Sequence, residues 1–194
     1  MTGWQQRTAA TLLAWLAMTL LGATSPAQTY RLDETRSTVA ARVAFFGIAS
    51  KTARFPRLSG SIALSPDRLD TLDLIVELDA RALTAPDPVT LERLRGPAFF
   101  DVARYPQVRF AGRRMTMTSP VTATVEGELT ARGVTQPVAL TVSFAQPPAR
   151  ATGTEPIRLS ARATINRTAF GMTAWPLIVG RTVTITIDGW LVPA

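Results

Sequence analysis

The sequence predicts an all-β fold of about eight antiparallel strands with one short helix. Apolar and polar residues alternate with period two in several segments, most clearly in three consecutive segments within residues 107–144. The turn sequences Ser119-Pro120 and Arg132-Gly133 separate these three segments. Successive side chains of a strand leave opposite faces of a sheet, so this alternation indicates half-buried strands. The short turns indicate that the three strands run antiparallel and form a meander.

The other strands follow from the same period, taken in chain order. The domain begins at residues 30–33, and the eight strands cover residues 37–46, 61–65, 72–78, 108–118, 121–129, 138–144, 157–165 and 183–191. Residues 54–60, which contain Pro56 and Gly60, are predicted to form a turn or an irregular entry to the second strand. No internal repeat or linker divides the sequence, which predicts a single domain over residues 28–194.

The period changes between strands three and four. Prolines and Gly96 bracket residues 89–95, in which Leu91 and Leu94 have the three-residue spacing of one helix face. A helix of about two turns is therefore predicted in this connection. It is the one helical candidate that the pattern indicates after residue 27.

The predicted strands can form a sandwich or a closed barrel. Closure removes exposed sheet edges, and an eight-stranded barrel either fills with side chains or holds one small ligand. The inward-facing residues mix large side chains such as Phe110 and Phe144 with small ones such as Ala41, Ala123 and Ala161. Small inward residues favour a cavity, although they can also serve the taper of a filled barrel.

The composition excludes several kinds of chemistry. The sequence contains neither cysteine nor histidine, which excludes disulfides, thiol nucleophiles, serine–histidine dyads and the usual zinc sites. The sequence therefore predicts no metal site. The formal charge is +7, but the basic residues are scattered singly and form no run or aromatic-interleaved patch. A nucleic-acid partner is therefore not expected.

The first 27 residues have the pattern of a secretory signal. Arg7 supplies the positive charge, residues 8–21 are mostly apolar, and Ser25-Pro26-Ala27 has small residues at the spacing of a cleavage site. The alternative is an uncleaved membrane anchor, against which the shortness of the apolar run argues. The pattern predicts cleavage near Ala27 and a mature protein that is periplasmic or secreted.

Three segments resemble the YceI-like family, in the right order along the chain. Residues 99–110 (FFDVARYPQVRF) resemble its "FFDv..YP...F" signature. Residues 127–140 (GELTARGVTQPVAL) resemble its "G.LT..GvT.PV.L" segment, and residues 166–172 (NRTAFGM) resemble "i.R.dFGm". The resemblance implies an eight-stranded antiparallel lipocalin-like barrel that is exported and holds a polyisoprenoid or other long-chain amphiphile. The chain departs from the family at Arg36-Ser37, where a histidine often precedes the serine, and at residues 91–97, where many members have "RD.HL". Headgroup contacts through those positions are not carried over.

The leading hypothesis is a non-catalytic carrier for isoprenoid transport or storage, with no catalytic residue and no cofactor other than a bound polyprenyl or quinone-type lipid. Arg167 is the candidate for contact with a lipid headgroup, and the alternative is an ion pair with Asp101 or Glu92. The predicted partners are the lipid, a membrane surface in transient contact, and a second copy in a homodimer. The candidate lumen residues are Val43, Phe45, Leu74, Val76, Phe99, Phe100, Phe110, Val125, Leu140, Val142, Phe144, Ile165, Phe170 and Ile185.

Two other classes of function remain open at this point. A hydrolase would use paired carboxylates, and the sequence offers Glu126 with Glu128 and Asp73 with Glu77. Both pairs lie on the polar side of their strands, where solvated charge is the ordinary explanation. A filled barrel that binds an envelope protein through its outer face would instead hold no lipid and would expose an apolar patch.

Overall fold

The computed structural model describes residues 28–65 and 70–194, and the predicted secretory signal, residues 1–27, lies outside the described residues. Within these two ranges, no helix has the length and hydropathy that a membrane-crossing helix requires. The helix is α1 (Pro88–Arg95), and the strands are β1 (Gln28–Leu32), β2 (Thr38–Phe45), β3 (Ala49–Phe55), β4 (Leu58–Leu64), β5 (Thr71–Asp79), β6 (Gln107–Ser119), β7 (Thr122–Ala131), β8 (Val134–Phe144), β9 (Ile157–Asn166) and β10 (Val179–Pro193).

The strands form one antiparallel sheet that closes on itself. They are hydrogen-bonded in the order β1-β4-β5-β6-β7-β8-β9-β10-β2-β3, and β1 also pairs with β10. Strand β10 makes this closure because residues 179–188 pair with β2 and residues 191–193 pair with β1. Closure gives every strand except β3 a hydrogen-bonded neighbour on both sides.

Four of the strands are halves of two longer ones, which is why the barrel has eight strands. β1 and β2 follow each other along β10, and β4 and β3 lie beside them in the same way. The break between β1 and β2 is held by β10. The Asp33 N–H donates to the Trp190 carbonyl at 2.8 Å, and the Trp190 N–H donates to the Ser37 hydroxyl at 3.0 Å. The predicted eight-stranded antiparallel barrel is confirmed.

The prediction of a turn or irregular segment over residues 54–60 was too broad. Strand β3 runs to Phe55 and β4 begins at Leu58, so the break is confined to Pro56 and Arg57. Proline has no N–H to donate to a ladder, which accounts for a break at this position. β3 itself was not predicted, because Phe55 is its one large apolar residue and the period of the others is indistinct.

The predicted helix is confirmed in the connection between β5 and β6, which fills a gap in the barrel wall beside β3. Arg54 and Thr84 exchange two backbone hydrogen bonds of 3.0 and 2.9 Å, which join the connection to β3. The Ala80 N–H donates to the Pro106 carbonyl at 2.8 Å, which joins the connection to the start of β6. The connection therefore replaces the strand contact that β3 lacks.

Asp87 sets the start of α1 and ties the helix to the barrel. Its carboxylate accepts from the Thr90 N–H at 2.8 Å as an N-cap, and Pro88 takes the first helical position, where no N–H is needed. The same carboxylate accepts from the Lys51 ammonium on β3 at 2.7 Å.

The end of the barrel at which α1 lies is called the hairpin end. It consists of residues 46–48, 80–106, 132–133 and 167–178.

The predicted meander is β6–β7–β8. Its register shifts twice between β6 and β7, and the first shift decides which residues face inward. The register between β6 and β7 shifts between Gly112 and Arg114, so Arg113 is the extra residue. Before the bulge Val108 and Phe110 are buried, and after it Met115 is buried. Because of the extra residue, even-numbered residues of β6 face inward before the bulge and odd-numbered residues face inward after it.

Gly127 on β7 makes room for the inward-facing ring of Phe110. A Cβ at position 127 would lie 2.3 Å from the Ala111 carbonyl oxygen and 2.7 Å from Cζ of Phe110. Such distances are far below van der Waals contact, so any side chain at this position would displace β6 or the Phe110 ring.

We therefore expect Gly127→Ala to lower the free energy of unfolding by about 3 kcal/mol, since overpacking of a core costs about this much. Gly96→Ala is the matched control, because a Cβ there would lie 3.4 Å from its nearest atom and the backbone has φ −73°. Urea unfolding of the two variants tests this, and equal stabilities would contradict the close approach.

Asp87 is expected to make stability depend on pH. Its hydrogen bonds to Lys51 and then Thr90 lower its carboxyl pKa to about 2. Because the folded pKa is depressed, the stabilisation is complete above the unfolded pKa of about 4 and is lost as pH falls through the folded value. Asp87→Asn should therefore lower the unfolding temperature at neutral pH, by an amount that shrinks between about pH 4 and pH 2. Asp87→Ala should cost more at every pH because it also removes the cap. A pH-independent difference between wild type and Asp87→Asn would contradict this account.

Candidate functional site

The barrel encloses an apolar cavity of about 180 Å³. Inward-facing side chains from strands all around the barrel line it, together with residues from the loops of the hairpin end. Its polar lining residues are Ser61 and Arg167, and all of the others are apolar or glycine. The small residues Ala41, Ala131 and Ala161 are among them, which agrees with the expectation that small inward residues leave space.

Most of the residues predicted for the lumen lie around this cavity. They come from six strands, from the connection after α1 and from the segment after β9. The predicted residues that line the cavity are Leu74, Val76, Phe100, Phe110, Val125, Leu140, Val142, Phe144, Ile165, Phe170 and Ile185.

Three predicted lumen residues lie elsewhere. Val43 and Phe45 are near the end of β2, half-buried against the core but outside the cavity wall. The Phe45 ring packs edge-on against Phe46, with ring centroids 4.7 Å apart. Phe99 is buried behind the cavity wall, with its ring 5.9 Å from Trp175 and 5.8 Å from the Arg167 guanidinium. All three lie at or near the hairpin end, where side chains also meet the loops.

Several lining residues were not predicted. Leu72 and Leu78 share the period of Leu74 and Val76, so the alternation alone could have identified them. Phe55 lies in the segment that was predicted to be irregular, and Met172 lies in a loop that has no period. For these two residues the local sequence contains no signal of an inward orientation.

Arg167 is a buried cation at the hairpin end of the cavity. It is 3% exposed and starts the 3₁₀ turn Arg167–Phe170 directly after β9. Its Nε–H donates to the Gly180 carbonyl at 2.8 Å and its Nη2 to the Val179 carbonyl at 2.8 Å, while Nη1 donates to the Met172 carbonyl. These bonds hold the segment after β9 against the start of β10.

The charge of Arg167 is not neutralised by a carboxylate in the described ranges. The alternative prediction, an ion pair with Asp101 or Glu92, was wrong: Asp101 pairs with Arg104 at 3.8 Å, and Glu92 is exposed. Burial, and then repulsion from Arg181, lower the pKa of the Arg167 guanidinium. A guanidinium has five N–H groups, and three are used, so the site retains donors for an anionic or carbonyl group.

The other polar residues that the sequence singled out lie outside the cavity. Glu126, Glu128 and Asp73 are exposed, and Glu77 lies 3.7 Å from Arg109 on the neighbouring strand. At the departure from the family pattern, the Arg36 guanidinium lies 3.7 Å from the centre of the Trp190 ring. None of these carboxylates lines the cavity, so the arrangement there can bind an apolar molecule but presents no pair of acids to it.

Comparison with known families now identifies the fold. A model of the YceI-like domain matches residues 30–190. The chain belongs to the YceI-like family. Curated relatives include a UPF0312 protein of Pseudomonas syringae pv. tomato, 25% identical over 103 residues (53% of this chain and 54% of that protein). A UPF0312 protein of Pseudomonas putida is 24% identical over 131 residues, 68% of each chain. The chain thus spans about half the length of the first of these relatives.

Solved structures share the barrel. Burkholderia cenocepacia BcnA superposes with a TM-score of 0.73 at 21% identity, over 82% of this chain and 98% of that one. A polyisoprenoid-binding domain from Saccharophagus degradans gives a TM-score of 0.66 at 16% identity, over 86% and 99%. A Campylobacter jejuni YceI protein gives 0.61 at 19% identity, over 71% and 82%. These TM-scores show that the four chains share a fold.

Arg167→Leu is expected to lower the free energy of unfolding by about 3 kcal/mol, because three carbonyls each lose a donor worth about 1 kcal/mol. Arg181→Leu is the control: Arg181 is exposed, and removing its charge relieves a repulsion on Arg167. Its stability should stay within about 0.5 kcal/mol of wild type. Denaturant unfolding measures both, and a fully stable Arg167→Leu protein would contradict the role assigned to these bonds.

Proposed function

We propose that this YceI-like protein is a non-catalytic carrier that holds the apolar part of a polyisoprenoid, quinone-like or other long-chain amphiphile in its lumen. The observation that carries the proposal is the composition of the cavity wall, which is apolar except for Ser61 and one buried guanidinium, Arg167. Such a wall offers no hydrogen bonds along most of its length. The part of a ligand that it surrounds must therefore be hydrocarbon.

Burial of hydrocarbon supplies the affinity in this proposal. Each buried methylene contributes about 0.8 kcal/mol, with no directional contact required. The cavity volume of about 180 Å³ is below the range of about 300–1,000 Å³ usual for small-molecule sites. A long chain would therefore extend beyond a barrel end or push aside flexible side chains, and Met115 and Met172 in the wall are suited to such adjustment.

Arg167 supplies the polar contact in this proposal. A phosphate, carboxylate or carbonyl group at the hairpin end would accept from its remaining N–H groups and compensate a cation that has no carboxylate partner in the described structure. The fold shared with the Saccharophagus degradans polyisoprenoid-binding domain supports an isoprenoid as the first ligand class to test.

Export to the periplasm, transient contact with a membrane and homodimerisation complete the proposal. The signal pattern of residues 1–27 is the basis for export, and fractionation of cells that express the full chain tests it. Membrane contact is part of the proposal because a water-insoluble ligand has to be taken from a membrane. The homodimer is tested by size-exclusion chromatography with light scattering.

Native mass spectrometry of the protein purified after expression of the full chain is the direct test of lumen occupancy. We expect a stoichiometric long-chain species that is released on denaturation and identified after organic extraction. A protein that carries no lipid and takes up neither a polyprenyl nor an acyl probe would overturn the carrier proposal in favour of an outer-face interaction protein.

Filling the lumen should abolish uptake without changing the outer surface. Ala161→Phe places a ring in the cavity, because Ala161 is buried and lines it. Ala139→Phe is the matched control, since Ala139 is exposed on the outer face of β8. We expect uptake of a fluorescent polyprenyl probe to fall about tenfold or more in the first variant, through lost burial of hydrocarbon, and to stay at the wild-type level in the second. Equal uptake by both would place the ligand outside the lumen.

A further inference from the structure

The hairpin end carries exposed apolar side chains of a kind that the lumen does not explain. Ile48 and Leu177 are each 95% exposed, and Phe46 is 60% exposed. The Phe46 N–H donates to the Ile178 carbonyl at 2.8 Å, which brings the turn between β2 and β3 next to the loop that contains Leu177. We call Phe46, Ile48 and Leu177 the apolar tip.

One residue of the tip, Phe46, has a backbone conformation that is costly for a large side chain. Phe46 has φ 52°, in the left-handed region where glycine and asparagine are normal and a bulky residue is an outlier. Trp175, in the loop that carries Leu177, has φ 49°. Isolated exposed apolar residues need no explanation, but two at one turn and a third on the adjacent loop, with Phe46 in a conformation that favours glycine, point to a binding surface.

The charge of the two barrel ends indicates what that surface meets. The hairpin-end loops contain six arginines against three carboxylates: Arg81, Arg93, Arg95, Arg104, Arg132 and Arg167 against Asp87, Glu92 and Asp101. In the described residues of the opposite end, 65, 70, 120–121 and 145–156, there is one arginine, Arg150, against two carboxylates, Asp70 and Glu155. Lys51 and Arg181 add basic charge beside the tip, although Lys51 is paired with Asp87 at 2.7 Å.

We propose that the apolar tip inserts into the surface of an anionic lipid bilayer, with the arginines of the hairpin end around it against the lipid headgroups. Exposed apolar side chains surrounded by basic charge are the combination that holds peripheral proteins on such surfaces, because burial of hydrocarbon and attraction to acidic lipids add. This orientation places Arg167 and the loop wall of the cavity at the bilayer. The surface depends on exposure and charge alone and does not require that the lumen hold a lipid.

Vesicle sedimentation tests the surface directly. Protein purified after expression of the full chain is mixed with phosphatidylcholine vesicles with and without phosphatidylglycerol, and the triple variant Phe46→Ser, Ile48→Ser, Leu177→Ser is compared with wild type. We expect binding to acidic vesicles that weakens in high salt, and a loss of about tenfold or more in the variant. Equal binding by wild type and variant, or no binding by wild type, would overturn the proposal.

A labelling experiment reports which end touches the lipid. Because the chain contains no cysteine, single dyes can be attached through Ile48→Cys at the tip and Ala149→Cys, an exposed residue at the opposite end. An environment-sensitive dye should shift to the blue and be quenched by nitroxide lipids at position 48 and not at position 149. The reverse pattern, or quenching at both positions, would overturn the orientation.

Two further readouts separate this surface from the alternatives. Light scattering of wild type and the triple variant distinguishes a bilayer from a second copy of the chain as the partner. A wild-type dimer that becomes a monomer in the variant, together with no vesicle binding, would show that the tip is a self-association surface. Uptake of a polyprenyl probe from solution, in the absence of vesicles, should be the same in both proteins. If the triple variant keeps probe uptake but loses vesicle binding, the tip is a surface separate from the lumen. If wild type itself takes up no probe, the carrier proposal fails and the proposal for the tip is unaffected.

Discussion

The closed sheet imposes one constraint on which the rest of the structure depends: along every strand, the inward residues must keep the same phase. A sheet that closes has an inside and an outside, and a slip of one residue would move a whole set of side chains to the wrong face. The extra residue at Arg113 satisfies this constraint on the thirteen-residue strand β6. It changes the phase midway, so that Phe110 and Met115 both reach the lumen while Arg113 and Arg114 stay outside.

The two arginines that organise the hairpin end do so through backbone carbonyls rather than carboxylates. Arg167 bonds the carbonyls of residues 172, 179 and 180, and Arg132 bonds those of Pro97 and Gly171. Carbonyls of the loops and of the first two residues of β10 thereby gain donors, and the loops are held in place around the cavity. Since carbonyl dipoles do not cancel a full charge, the positive character of this end is kept, which is the property that an anionic headgroup or surface would use.

Much of this fold could be predicted from the sequence, because period-two alternation is a local consequence of burial on one face. The meander and most of the lumen residues, such as Val125 and Leu140, follow from it directly. The strand β3 did not follow, because it consists mainly of small and polar residues and buries only Ala53 and Phe55. The alternation also could not predict which inward-facing residues lie at the level of the cavity. Val43 and Ile185 have the same alternation, yet Ile185 lines the cavity and Val43, which lies nearer to the hairpin end, does not.

The partner of Arg167 was unpredictable for a different reason. A sequence shows which charges exist but not which backbone carbonyls a loop will turn toward them. The ion pair with Asp101 or Glu92 was a reasonable chemical expectation. The structure instead satisfies the guanidinium with the chain segment that follows it, within thirteen residues.

The pairing of β1 with β10 has a consequence for the order in which the barrel assembles. Tyr30 and Pro193 are opposite each other in the ladder, so the seam joins the first strand of the domain to its last. Hairpins such as β6–β7 and β7–β8 can form as soon as they are synthesised, but the seam waits for a contact between residues more than a hundred positions apart. Until then the chain is an open sheet whose apolar face is uncovered. Protection of the whole barrel against proteases is therefore gained cooperatively, in the step that closes the seam.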